Sequence, residues 1–204
     1  MKTLFIPAKS KQELDYSNII GQLEKLPKNI AICYSIQFEH QAKALQDRLN
    51  KLKSRQITAI KQVLGCSRPI FPKNTQAIIL IGQGKFHSVS LEYETKIPVY
   101  LIEGDKLTKV SSQDVEKLEK KQKASYVNYL NQNKIGIIIT DKPGQQKLKQ
   151  ALDLKKKLKK KSYLFLCNNI DTSEFENFGL KSWINTACPR LDLDDFRILN
   201  ANKL

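Results

Sequence analysis

Short, continuous runs of apolar and β-branched residues recur along the chain, with stretches of helical spacing between them. The run IAICYSI (30–36) predicts a buried strand. From 38 to 53, Ala42, Leu45, Leu49 and Leu52 fall three or four residues apart and predict an amphipathic helix. QITAI (56–60) and AIILIG (77–82) predict two further strands, a short helix around 89–94 follows, and PVYLI (98–102) predicts a fourth strand. Residues 111–131 read as a polar helix with Val115, Leu118, Tyr126 and Leu130 among its apolar positions. The order then restarts: strand IGIIIT (135–140), helix 145–160, strand YLFLC (163–167), strand SWINT (182–186). Strands that are apolar on both sides, alternating with helices, predict parallel sheets covered on both faces, an α/β fold.

The restart carries the domain organisation. NIAICYSIQFEHQAKALQDRLNKLK (29–53) and KIGIIITDKPGQQKLKQALDLKKKLKK (134–160) share one layout: apolar strand, polar turn, Leu-striped helix, Lys-rich end. Two copies without a third predict pseudo-symmetric domains rather than a solenoid. The expected division is 1–110 and 132–204, two similar domains with a small helix-flanked parallel sheet each, joined by the helix 111–131.

Composition narrows the class. The chain has 204 residues, 41% hydrophobic and 27% charged, enough for a real core and not the profile of a disordered chain. Lys and Arg exceed Asp and Glu by 35 to 20, a net charge of +15. Such a charge favours acidic partners, although lysine runs such as KKKLKKK (155–161) also suit solvated helix faces. A nucleic-acid-binding module needs aromatics interleaved with a basic patch, and the aromatic residues, 8% of the chain, lie mostly in predicted strands. The start of the chain, broken by Pro7, is no secretory signal, and no apolar run approaches the roughly 20 residues that span a bilayer. The expected compartment is the cytoplasm, where four cysteines are more often core, catalytic or metal-binding residues than disulfides.

In parallel α/β sheets the loops after the strands' C-terminal ends carry function. Two of them hold a cysteine. Cys66 follows Leu64-Gly65; Cys188 sits in ACPR, with Pro189 fixing the turn and Arg190 placing a cation nearby, which favours a thiolate. Each is either a structural thiol or a metal ligand, and their separation fits no local zinc or ferredoxin pattern. Cys33 and Cys167 lie within strand runs and read as core thiols. GQGKFH lacks the spacing of a phosphate loop, and its His87 is either a satisfied loop histidine or a substrate or cofactor contact. His40, at a helix start, reads as structural. Pro143-Gly144 is expected to open a helix at Gln145, whose amide could join Arg190 in holding an amino-acid carboxylate. Asp192, Asp194 and Asp195 are expected to cap the last helix.

Taken together, QVLGCS (62–67), IGQGKFH (81–87), TDKPGQ (140–145) and NTACPRLDLDD (185–195), preceded by IQFEH (36–40), resemble in order and approximate spacing the motifs of the diphthamide synthase family, the 2-(3-amino-3-carboxypropyl)histidine synthases. The resemblance runs from about 29 to 200. It implies the last two of three similar α/β domains arranged around a [4Fe–4S] cluster, with one cysteine from each domain and the fourth iron open to S-adenosylmethionine. It also implies a radical-SAM-like transfer of a 3-amino-3-carboxypropyl group to a histidine of elongation factor 2. On this resemblance Cys66 matches the middle-domain ligand and Cys188 the last-domain ligand, while His87, Gln145 and Arg190 are candidates for cofactor contacts. The family's first domain and its cysteine have no counterpart here. The resemblance therefore implies a partner chain supplying both, within a homo- or hetero-oligomer, and the alternative is a non-catalytic accessory subunit of the same complex.

Overall fold

The computed structural model describes residues 4–11, 15–52, 55–64, 67 and 69–204. The chain divides into two compact units, Met1–Glu116 and Lys117–Leu204.

In the first unit a short helix α1 (Ile20–Leu23) precedes β1 (Asn29–Tyr34), whose Ile30, Ala31, Ile32 and Cys33 are fully buried. Such a strand has to sit mid-sheet with both faces covered, and it does. β1 pairs in parallel with β2 (Gln56–Gln62) on one side and β3 (Ala77–Ile81) on the other. β3 continues in parallel to β4 (Val99–Glu103), and β5 (Lys106–Lys109) closes the edge antiparallel to β4. The sheet order is β2-β1-β3-β4-β5. Helix α2 (Glu39–Leu52) buries Ala42, Leu45 and Leu49 on one face, together with Leu23 of α1; the Leu52 side chain lies outside the described part. Glu39 starts α2 and pairs with Lys43 one turn on, a placement favoured by the helix dipole. On the opposite face α3 (Lys85–Thr95) packs Val89 and Leu91 beside Val115 of α4 (Ser112–Asn131).

Two expectations for this unit change. The run IAICYSI does not stay extended to residue 36: the Phe38 amide donates to the Ser35 carbonyl at 2.8 Å, and a 3-10 turn over Ile36–Phe38 tucks Phe38 into the core. β5 was not expected. It follows the two-residue turn Gly104-Asp105, where Gly104 takes φ 62°, a backbone state that glycine adopts at no steric cost.

The second unit repeats the theme. β6 (Lys134–Thr140) is central, flanked in parallel by β7 (Lys161–Cys167) and β8 (Trp183–Asn185), and β9 (Ile198–Asn200) adds in parallel to β8. The order is β7-β6-β8-β9, so β7-β6-β8 copies β2-β1-β3. One face carries Ile135, Ile137, Ile139, Ile184 and Leu199 under Tyr129 of α4 and Ala151 and Leu154 of α5 (Leu148–Lys157). The other face carries Ile138, Trp183 and Ile198 under Phe175, Leu180 and Leu191. Instead of a long helix, the 3-10 segment Thr172–Phe178 and α6 (Leu191–Asp194) cover it. Neither β9 nor the 3-10 segment was expected from sequence, and α5 opens three residues later than expected. Among the described residues no helix is long and apolar enough to cross a membrane.

Gly136 explains how Trp183 is accommodated. The two residues are register partners on β6 and β8, and a methyl group at Gly136 would overlap Cδ2, Cε3 and Cζ3 of the indole. The ring lies on bare backbone, 1% exposed, with Phe175 stacked at 4.2 Å and Phe165 edge-on at 4.7 Å.

Candidate functional site

In each unit the loops at the C-terminal edge of the sheet carry the candidate residues. In the first unit Gly65 and Cys66 lie outside the described residues. Their flanks are tied: Val63 donates to the Tyr34 carbonyl at 2.8 Å, the Leu64 amide donates to Ser67 Oγ at 2.7 Å, and the Ser67 amide returns to the Leu64 carbonyl at 2.9 Å. After β3, Gly84 takes φ 74° and its amide donates to a Glu103 carboxylate oxygen at 2.9 Å. A side chain of this protein thus occupies the position a phosphate loop would offer to ligand. His87 lies in the first turn of α3, half-buried, its ring 5.3 Å from that of Phe86. Cys33 is a core thiol: burial pushes it up to about 12, against the opposing charge of Lys61.

In the second unit the loop after β8 is the most tightly built. Asn185, the last residue of β8, and Asn200, the last of β9, are 3% and 6% exposed. Buried amides must satisfy both their donors and their acceptor. Asn185 Oδ1 accepts from the Ala187 amide at 2.8 Å. Its Nδ2 donates to the Cys188 carbonyl at 2.8 Å and to Asn200 Oδ1 at 2.6 Å. Asn200 Nδ2 donates to the Pro189 carbonyl at 2.8 Å. Three consecutive residues, Ala187, Cys188 and Pro189, are therefore held by two side chains from neighbouring strands. Thr186 adds a bond from Oγ1 to the Ile138 carbonyl at 2.7 Å, fixing the loop to β6. Cys188 is a half-buried free thiol on this frame, and Arg190 is exposed just before α6.

This amide clamp was missed from sequence. The available signal was Asn185 two residues before the turn amide it accepts, an Asx-type pattern; Asn200 gave none. Asn200→Ala is expected to leave the Asn185 amide and the Pro189 carbonyl short of a partner, costing about 1–3 kcal/mol in urea unfolding. Faster alkylation of Cys188 in the folded variant would accompany it.

The acidic run behaves differently from expectation. No side chain caps α6 at its start. Gln122 donates to Asp192 at 3.3 Å, and the Asp194 side chain lies outside the described part. Asp195 follows α6 and holds Arg197 through both oxygens, at 2.9 Å and 3.1 Å to Nε and 2.6 Å to Nη2. Arg197 Nη2 also donates to the Thr172 carbonyl at 3.1 Å, tying the 3-10 segment to β9. Burial alone would raise the Asp195 carboxyl, but the Arg197 hydrogen bonds outweigh it and hold it below its usual range. A depressed folded value gives stability that is present above the ordinary aspartate range, about 3.9, and lost as pH falls through the folded value. Asp195→Asn should accordingly destabilise by a constant amount above about pH 5 and by progressively less below about pH 4 in pH-dependent urea melts.

Gln145 is not at a helix start. Its amide donates to the Lys142 carbonyl at 3.0 Å in a turn where Gly144 takes φ 78°, and α5 begins only at Leu148. Its backbone is thus already paired, and the half-buried side chain is what remains to meet a ligand. Gln145, Cys188 and Arg190 share the C-terminal edge of the second sheet, because β6 and β8 are neighbours. Among the described residues no three His, Cys, Asp or Glu side chains assemble as a metal site.

The family model for putative diphthamide synthesis proteins matches residues 1–198. The chain belongs to that family. The match also takes in the residues before 29, where the motif resemblance began. Among diphthamide synthesis proteins, the 2-(3-amino-3-carboxypropyl)histidine synthase of Pyrococcus horikoshii is 29% identical over 208 residues, covering 95% of this chain and 60% of the relative. Subunit 1 of the corresponding synthase of Yarrowia lipolytica is 29% identical over 201 residues, covering 89% of this chain and 45% of the relative. The crystal structure of Dph2 from Pyrococcus horikoshii superposes with a TM-score of 0.80 at 24% identity, over 93% of this chain and 61% of that one. A second structure of that protein, with a 4Fe-4S cluster, gives 0.76 at 25% identity over 91% of this chain and 58% of that one. The α/β architecture is therefore the Dph2-like fold, and the chain spans about 60% of the length of its Pyrococcus relative.

The donors described here fit such a cluster at one position. Cys188 is a half-buried free thiol on a loop whose carbonyls at Cys188 and Pro189 accept side-chain hydrogen bonds. Cys33 is sealed in the core; Cys167, expected there too, is instead half-buried at the end of β7, where burial still raises its thiol and disfavours the thiolate that iron needs.

Proposed function

We infer that this chain is a subunit of a 2-(3-amino-3-carboxypropyl)histidine synthase, completed by another chain. The supporting observation is the clamped Cys188 loop at the C-terminal edge of a sheet, in a chain that the family model matches from residue 1 to 198. In this reading residues 1–110 correspond to the family's middle domain, 111–131 to a connecting helix and 132–204 to the last domain. Cys66 and Cys188 would each hold one iron of a [4Fe–4S] cluster, and a cysteine of the partner chain would hold a third. When bound, the cluster supplies the electron that cleaves a carbon–sulfur bond of S-adenosylmethionine, and the 3-amino-3-carboxypropyl group passes to a histidine of elongation factor 2.

This chain's own residues then have positioning tasks. Asn185 and Asn200 fix the backbone on both sides of Cys188, so its sulfur needs little reorganisation to bind metal. The exposed Arg190 guanidinium, two residues on, suits bidentate contact with the cosubstrate's carboxylate. The Gln145 side chain, on the neighbouring loop, can add an amide donor to the same group. His87 faces the equivalent task in the first unit. The net charge of +15 favours approach to an acidic partner surface.

The test is anaerobic transfer of label from S-adenosylmethionine labelled in its aminocarboxypropyl portion to elongation factor 2, using this chain with a candidate chain that supplies a third loop cysteine. Labelled factor is expected with the pair and with neither chain alone. Equal labelling by the pair carrying Cys188→Ala would leave this chain an accessory subunit.

A further inference from the structure

A run of three apolar side chains ahead of the first sheet is left in water. Leu4, Phe5 and Ile6 are 82%, 70% and 79% exposed. Residues 4–11 form no helix and join neither sheet. Contiguous apolar exposure of this kind marks an interaction site. The run also lies inside the stretch that the family model matches, so it is part of the family's body.

The segment is held at one end. The Ser10 amide donates to the Gln37 carbonyl at 2.8 Å, and Lys9 Nζ pairs with Glu39 at 3.0 Å. Gln37 lies in the 3-10 turn after β1 and Glu39 opens α2, so the anchor sits at the C-terminal edge of the first sheet. The flank of the Cys66 loop is tied to the same edge, where Val63 donates to the Tyr34 carbonyl. From Ser10 back to Leu4, six residues of extended chain span about 20 Å. Whatever takes residues 4–6 is kept within that reach of the first unit's candidate loops.

The pattern narrows the occupant. Side chains of an extended segment alternate between two faces, so Phe5 faces away from Leu4 and Ile6. A flat apolar surface covers one of those faces only. Both are covered in a sheet layered by helices on each side, where strands read as unbroken apolar runs, as β1 and β3 do here. Residues 4–8 carry no charge, which leaves a charged groove nothing to recognise. Pro7 has no amide hydrogen to donate and ends the strand after Ile6. The chain covers 60% of its Pyrococcus relative, and the remainder is large enough for one α/β domain. We propose that residues 4–6 add as a strand to the open sheet edge of the α/β domain that brings the third cysteine, tethering that domain at the mouth of the first sheet. The proposal rests on the reading of this chain as completed by another chain.

The test uses the full-length chain and the candidate chain of the labelling experiment. Affinity is measured by titration calorimetry, and backbone amide exchange by peptide mass spectrometry. Exchange at residues 4–6 should slow on complex formation, because a strand pairs its amides while side-chain packing alone does not. Phe5→Asp should weaken the complex roughly thirty-fold, and Phe5→Val, which keeps a strand-forming apolar residue, should bind within about three-fold of native. Neither should change the circular dichroism of the free chain, since the side chain is exposed. A pair that labels elongation factor 2 while residues 4–6 exchange as fast as in the free chain overturns the strand and leaves the proposed function standing. A complex with protected residues 4–6 and no labelling does the reverse. Absence of any complex between the native chains, or self-association of this chain that Phe5→Asp abolishes, would also overturn the proposal, the latter by giving the strand to a second copy.

Discussion

Gly136→Ala is expected to destabilise the second unit by about 3 kcal/mol or more, at the upper end of overpacking costs. The new methyl group would overlap the Trp183 indole at Cδ2, Cε3 and Cζ3. The indole is sandwiched between β6 and Phe175, with Phe165 and Phe178 edge-on against it, and its Nε1 donates to the Leu180 carbonyl at 3.3 Å. Relief would require β8 to separate from β6, which breaks the ladder that carries the Cys188 loop. For a unit of this size such a loss lowers the melting temperature by roughly 10–20 °C. Trp183→Leu in the same background should recover part of it, a positive coupling in a double-mutant cycle. A cost below about 1 kcal/mol for Gly136→Ala would show that the indole does not lie on the strand as described.

Cys188→Ala carries the largest functional effect. The thiol is half-buried on a loop whose carbonyls are already held by Asn185 and Asn200, so removing the sulfur should leave the fold intact. No neighbouring donor replaces it among the described residues, because no metal-binding group of three assembles there. On the proposed reading, the chain paired with a candidate chain that supplies a third cysteine should then lose the broad visible absorption of an iron–sulfur cluster, and its iron content should fall to background after anaerobic loading. Asn200→Ala should load iron with a weaker or altered electron paramagnetic resonance signal, since it disturbs the support and not the ligand. Native-like absorption and iron content in Cys188→Ala would remove Cys188 from the ligand set.

The sequence pattern revealed the centres of both sheets and little of their margins. β1, β3 and β6 are buried on both faces, and that burial writes itself as unbroken Ile, Ala and Leu runs. β5, with the sequence KLTK, is half-exposed at a sheet edge and has no apolar run; only the Gly104-Asp105 turn before it marked a hairpin. β9 contributes three residues, and the 3-10 segment over Phe175 and Phe178 lacks the 3.6-residue period by which helices are recognised. Both were invisible for that reason, yet they form the support and cover of the Cys188 face.

The candidate site divides the same way. Chemistry could be read from the loop residues themselves, since a cysteine beside Pro189 and Arg190 after a strand is a local feature. Geometry could not. Asn200 reaches the Cys188 loop only because β9 pairs with β8, and residues fifteen apart meet through that pairing. Gln145 was misjudged for a local reason: Pro143-Gly144 suggested a helix start, but the chain uses Gly144 for a closed turn before α5 begins.

Alkylation footprinting of the cysteines, before and after anaerobic loading of the proposed complex with iron and sulfide, tests the ligand assignment most directly. Cys66 and Cys188 should become protected on loading, while Cys167 keeps its rate and Cys33 stays unreactive in its core. Equal alkylation of Cys66 and Cys188 in the loaded and unloaded complexes would contradict the account.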